Sequence, residues 1–108
     1  MGLNSIPINV APAIPGPAVI ATGSVDATGA QVLAADPYRR WGVFIQNVDT
    51  VAVDSLKVGT VTGDAVFLLA SAGNAVNTIN SMFMPGTGSV FLKSSNGTLT
   101  TDYVVMSL

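Results

Sequence analysis

The sequence predicts an all-β protein: a single small β-sandwich or barrel with an extended, proline-rich N-terminal arm. Valine is the commonest residue, whereas the helix former glutamate is absent and lysine is rare. No segment keeps the apolar periodicity of about 3.6 residues that an amphipathic helix needs. Short β-branched segments instead alternate with turn-forming residues roughly every 8–12 residues, which is typical of sandwiches and barrels.

Size and composition favour one domain that contacts other proteins. A chain of 108 residues supports a single core, since domains of this length bury roughly two thirds of their unfolded surface. Hydrophobic residues make up 49% of the chain and charged residues only 9%, against about 25% charged residues in typical soluble domains. So low a charge indicates that much of the surface meets other protein.

Residues 1–17 are expected to form the arm, and residues 18–108 the β domain. Four prolines fall within the arm. Proline fixes φ, lacks an amide donor and pushes the preceding residue toward an extended conformation. We therefore predict an extended arm that docks on a neighbouring subunit; a flexible terminus and a first edge strand of the same domain are the alternatives. The docking side chains would be the aliphatic residues Ile6, Ile8, Val10 and Ile14.

Eight segments of the β domain are expected to form strands. The side chains of residues 41–48 alternate, which places Trp41, Val43 and Ile45 on one face, with Asn47 as a further candidate for that face. Residues 65–70 form a continuous apolar run, which suits a buried strand. The eight segments are residues 18–25, 31–35, 41–48, 56–62, 65–70, 79–84, 89–93 and 98–106.

Two short segments refine this prediction. An Asn-Gly pair at 96–97 is the strongest hairpin signal of the chain, and it would join the last two strands. The run Met82-Phe83-Met84 has two interpretations, because methionine fills cores and also adapts to partner surfaces.

Residues 36–41 form the densest polar-aromatic segment of the chain. Tyr, Trp and Arg are the residue types most enriched at binding hot spots. Adjacent residues entering a strand point to opposite faces, so one arginine is expected to pair inside the domain, with Asp36 or Asp102, while the other faces outward. A structural strand start and an interface are both open interpretations. The interface residues would be Tyr38, Arg39, Arg40 and Trp41.

The residue inventory argues against an enzyme. The chain contains no His, Cys or Glu, which excludes Ser-His-Asp triads, cysteine nucleophiles and zinc sites built from nitrogen and sulfur ligands. The six aspartates lie in or beside predicted turns, where Asp caps its own backbone. We therefore expect no catalytic residues, no cofactor and no metal.

Nucleic acid and membrane are also unexpected partners. The net charge is -2 and the four basic residues are scattered, whereas phosphate binding needs clustered Lys and Arg. Residues 1–25 and 65–92 carry no charged side chain. Proline, glycine and polar residues interrupt both stretches, so neither is the run of about 20 apolar residues that spans a bilayer.

The order of several short motifs resembles small virion proteins of tailed bacteriophages. The Arg-Arg pair at 39–40 precedes a strand that ends in Ile45-Gln46-Asn47. A Val-rich strand with Lys57-Val58-Gly59 follows, then a Pro-Gly turn at 85–86 and the Asn-Gly pair before a last apolar strand. The resemblance covers approximately residues 32–105.

This resemblance implies a capsid decoration (cement) protein, β-rich and homotrimeric, on the capsid exterior of the virion. Its partners would be the major capsid protein and further copies of itself, and terminal arms would clamp neighbouring capsomers. A phage fibre or tail component and a carbohydrate-binding β-sandwich module are the alternatives. One Trp and two Tyr are few for a glycan site, which usually stacks exposed aromatic side chains.

Overall fold

The computed structural model describes residues 19–51, 53–60, 67–74, 79–97 and 99–108. The arm, residues 1–17, lies outside the described residues, as do parts of four predicted strands, at 18, 61–62, 65–66 and 98. The described residues contain no helix, and hence none able to cross a membrane. They form eight strands: β1 Val19–Val25, β2 Ala30–Leu33, β3 Gly42–Asn47, β4 Leu56–Gly59, β5 Phe67–Leu69, β6 Ser81–Pro85, β7 Val90–Ser94 and β8 Thr101–Ser107.

The strands form two antiparallel four-stranded sheets, which confirms the all-β prediction and makes the domain a sandwich. Sheet A has the order β1-β8-β3-β6 and sheet B the order β2-β7-β4-β5. The pairs are nested, because β1 pairs with β8, β2 with β7, β3 with β6 and β4 with β5. This pairing is that of a jelly roll, a long hairpin rolled into two sheets.

The core lies between the sheets and consists of branched aliphatic side chains. Strand β3 shows why: its residues alternate, and Val43 and Ile45 face inward as predicted, at 1% and 0% exposure. Methionines 82 and 84 pack against the core from β6, while Phe83 points outward. The fully buried cluster is Val25, Val43, Ile45, Leu56, Val58, Leu69, Val90, Leu92 and Val105.

Three local predictions were wrong. The Asn-Gly pair at 96–97 joins β7 of sheet B to β8 of sheet A, so it crosses between sheets and forms no hairpin. Trp41 precedes β3 and is 63% exposed, because it lies beyond the end of the alternating strand. Strand β5 is an edge strand, so Phe67 and Leu68 are exposed and only its last residue, Leu69, is buried.

Candidate association surface

Four apolar side chains form a continuous row across the outer face of sheet A. Register places Ile20 opposite Met106, Met106 opposite Phe44, and Phe44 opposite Phe83. Directly opposite residues point to the same face of a sheet. Ile20 is 59% exposed and Phe83 46% exposed at the two edges, with Met106 and Phe44 half-buried between them. We call Ile20, Phe44, Phe83 and Met106 the outer row.

Charge is distributed unequally between the two outer faces. Among the described strand residues on the outer face of sheet A, Asp102 is the charged one. It lies four residues along β8 from Met106. Four residues of strand correspond to about 13 Å. On sheet B, Lys57 and Lys93 lie directly opposite each other. The outer row is therefore an uncharged region of an already weakly charged surface.

A second exposed cluster, the aromatic end patch, lies at one end of sheet A and consists of Tyr38, Arg40, Trp41 and Leu108. Tyr38 is 88% exposed and Trp41 63% exposed. The Arg40 guanidinium carbon lies 5.1 Å from the centroid of the Trp41 ring, a cation–π distance. The Trp41 backbone is fixed, since its N–H donates to the Leu108 carbonyl at 2.8 Å and its own carbonyl accepts from the Gly86 N–H at 3.2 Å.

The turn that presents this patch is built by Asp36. Its Oδ1 accepts the N–H of Tyr38 at 2.9 Å, and its carbonyl accepts the N–H of Arg39 at 3.1 Å. Asp is a typical turn residue because its side chain accepts backbone N–H groups in this way, whereas Pro favours turns through its fixed φ. An Asp-Pro turn thus precedes β3, and it directs the Tyr38 side chain into solvent.

Arg39 points inward and is only 8% exposed. Its Nε donates to the Ser107 hydroxyl at 3.0 Å and its Nη2 to the Ala34 carbonyl at 3.0 Å. Its Nη1 donates to the carbonyls of Gly88, at 2.7 Å, and Gly86, at 3.3 Å. These partners belong to the end of β8, the segment after β2 and the β6–β7 connection, so one guanidinium links both sheets.

The prediction for the arginine pair was correct in orientation and wrong in partner. One arginine points inward and one outward, but the described hydrogen bonds of Arg39 go to carbonyl and hydroxyl oxygens rather than to Asp36 or Asp102. The exposed side chains of this segment that remain available to a partner are Tyr38, Arg40 and Trp41.

The outer row and the aromatic end patch are neighbours. Gly42, the first residue of β3, directly follows Trp41, and a Cβ added at Gly42 would lie 2.7 Å from Cζ of Phe83. The Phe83 ring therefore lies over Gly42, next to Trp41. Val19, where β1 begins, is paired with Ser107, one residue before Leu108. Strand β1 thus begins at the same end of sheet A as the aromatic end patch. The predicted docking side chains of residues 1–17, Ile6, Ile8, Val10 and Ile14, lie outside the described residues.

The opposite end of the sandwich contains a buried polar network that the sequence analysis missed. Asn47 is 0% exposed; its Nδ2 donates to the carbonyls of Asp54 and Leu69, and its Oδ1 accepts the N–H of Asp49. Asp49 also accepts the N–H of Asp102, at 3.0 Å. The available signal was an asparagine at an inward position of an alternating strand.

The carboxylates of this network hold the protein's own backbone and side chains together. The Asp49 carboxylate is occupied by the N–H groups of Val51 and Asp102, and the Asp54 carboxylate accepts from Asn96 Nδ2 at 2.7 Å. In the part of the chain that the structure describes, no group of three acidic, His or Cys side chains could hold a metal ion.

Comparison with known proteins adds no relative. No protein-family model, no curated protein and no solved structure matches the chain.

Proposed function

We propose that this protein is a capsid decoration protein of a tailed bacteriophage, which binds the major capsid protein on the outside of the head. The observation that carries the proposal is the joining of the outer row, the aromatic end patch and the attachment point of residues 1–17 at one end of sheet A. The mechanism is non-covalent: apolar side chains of a homo-oligomer, trimeric by resemblance, bridge neighbouring capsid subunits.

The composition of the surface supports a protein partner. A buried Trp contributes roughly 150–250 Å² of contact area, and Trp41 is 63% exposed. A partner that covers this side chain would remove on the order of 100 Å² of apolar surface, or about 2.5 kcal/mol at ~25 cal/mol per Å². Many copies on one shell multiply such a modest contribution by avidity.

The topology is compatible with this role without assigning it. Jelly rolls occur in viral capsid domains, and also in lectin domains and cupins. A fold of this kind hosts many functions, so the support for a capsid role comes from the surface and from the motif resemblance.

The test is co-sedimentation with phage heads that lack the protein. We expect Trp41→Ala, combined with Tyr38→Ala, to lower occupancy on the heads by about tenfold or more, since about 2.5 kcal/mol corresponds to well over tenfold in an equilibrium constant. Leu68→Ala is the matched control, because Leu68 is 56% exposed but lies on sheet B. Equal occupancy of wild type and the Tyr38/Trp41 variant, or an equal loss for Leu68→Ala, would contradict the proposed surface.

A carbohydrate-binding role, as in a fibre or tail component, is the second candidate. The observation that favours it is the exposure of two aromatic side chains, Tyr38 and Trp41, on one turn. A glycan array separates the two roles: specific glycan binding that disappears in Trp41→Ala, together with no binding to heads, would replace the capsid proposal.

A further inference from the structure

We propose that the outer row binds the N-terminal segment of a second copy of this chain, with residues 6–10 lying across the four strands of sheet A. The inference rests on the proposed role as an assembly protein, and it names the surface through which copies associate. It is measured without capsids, so its failure is distinguishable from failure of the capsid proposal.

The first step is the fit in length. The outer row crosses three interstrand spacings, about 14 Å at ~4.8 Å each, from Ile20 to Phe83. In an extended chain, side chains at alternate positions point to the same side and are spaced about 6.5 Å apart. In an extended segment, Ile6, Ile8 and Val10 would therefore form an apolar line of about 13 Å, which matches the length of the row.

The second step is the match in charge. Residues 1–17 carry no charged side chain, and the outer row carries none either. Apolar area removed from water stabilises such a contact at ~25 cal/mol per Å². The outer face of sheet B offers a poorer surface, because Lys57 and Lys93 lie side by side there and would have to be desolvated.

The third step selects a second copy over the chain's own segment. Pro12, Pro15 and Pro17 each favour an extended conformation of the preceding residue, so residues 11–17 are expected to continue outward. Val10 precedes the start of β1 at Val19 by nine residues, so at about 3.1 Å per residue an extended segment would carry Val10 roughly 28 Å from that start. The chain's own outer row begins at Ile20, one residue beyond that start, so an extended segment would lead away from its own row and toward a neighbouring copy.

The absence of cysteine from the chain allows a clean test by disulfide cross-linking of the full-length protein. Ile8→Cys in one copy is mixed with Phe83→Cys in a second copy that carries a mass tag, and the mixture is oxidised. Because each copy holds one cysteine, any link between differently sized copies is intermolecular. We expect a mixed dimer in at least about tenfold excess over the control mixture of Ile8→Cys with Leu68→Cys.

Two further measurements make the outcome decisive. Sedimentation equilibrium of the wild type should give more than one copy per particle, and Ile20→Asp should shift it toward the monomer while the circular dichroism spectrum is retained. A monomeric wild type, equal mixed dimer in the control mixture, or a double variant Ile8→Cys/Phe83→Cys that cross-links only within one chain would each overturn the proposal. Association without binding to heads would remove the capsid role and leave this interface standing.

Discussion

Substitution of Arg39 by methionine tests whether one buried guanidinium holds the two sheets together. Methionine keeps most of the unbranched side-chain volume and removes every donor. The wild-type side chain donates four hydrogen bonds, to Ser107, Gly86, Gly88 and Ala34. After the substitution these acceptors must find water or remain unpaired.

The magnitude follows from these bonds and their exposure. Hydrogen bonds to charged groups contribute about 1.5–3 kcal/mol each in favourable cases. The acceptor residues Ala34, Gly86 and Gly88 are exposed, so water replaces part of the loss. We expect a decrease of about 3 kcal/mol in the free energy of unfolding, a large share of the roughly 5–15 kcal/mol of a typical domain.

The assay is urea unfolding followed by circular dichroism, and the control is the adjacent arginine. With a slope of about 1–1.5 kcal/mol per M for a domain of this size, Arg39→Met should lower the midpoint by about 2–3 M. Arg40→Met removes only an exposed cation–π contact to Trp41, which costs about 0.5–1 kcal/mol. If the free energies of unfolding of the two variants agreed within about 0.5 kcal/mol, that result would refute the role of Arg39 in holding the two sheets together.

Two further substitutions test the polar end and one close backbone approach. Asn47→Ala leaves two carbonyls and one N–H without their buried partner and should cost about 3 kcal/mol in chemical unfolding; a loss below about 1 kcal/mol would contradict the network's importance. Gly73→Ala directs a Cβ against the backbone of Thr50, whereas a Cβ at Gly88 meets nothing within 4 Å. We expect thermal melting to show a loss of about 2 kcal/mol or more for Gly73→Ala and a change within about 0.5 kcal/mol for Gly88→Ala; equal melting temperatures would contradict the close approach.

The sequence predicted the fold class and most strands because both follow from patterns of apolar and turn-forming residues within short segments. Alternation in β3 predicted the inward positions Val43 and Ile45, and both are buried. Whether a strand lies at the edge of a sheet cannot be predicted from the residues of that strand alone. The apolar run of β5 is the same whether a strand lies inside a sheet or at its edge, and only the sheet order shows that Phe67 and Leu68 are exposed.

Strand pairing could not be predicted from the sequence for the same reason. An Asn-Gly pair predicts a tight turn, and a tight turn usually joins partners in one sheet. Here β7 and β8 belong to different sheets, and the register is set by strands distant along the chain. The nested pairing depends on where all the apolar faces can be buried together, which no single turn determines.

The candidate surface was predictable in residue type and only partly in role. Tyr38, Arg40 and Trp41 are exposed, in agreement with an interface, although the contact itself stays a prediction. Which arginine would turn inward depended on acceptors in the segment after β2, the β6–β7 connection and β8, up to 68 positions away in the chain. The outer row depended on register across four strands, so its members could not be assembled from the sequence.

The topology explains why the start of β1 and the aromatic end patch lie at the same end of sheet A. Strands β1 and β3 are both antiparallel to β8, so they run in the same direction and begin at the same end of sheet A. The start of β1 at Val19 and the Tyr38–Trp41 turn that precedes β3 are therefore brought to that end. Two positions that are far apart in the sequence thus become neighbours at one end of sheet A, and the nested pairing of a jelly roll is sufficient to bring them together.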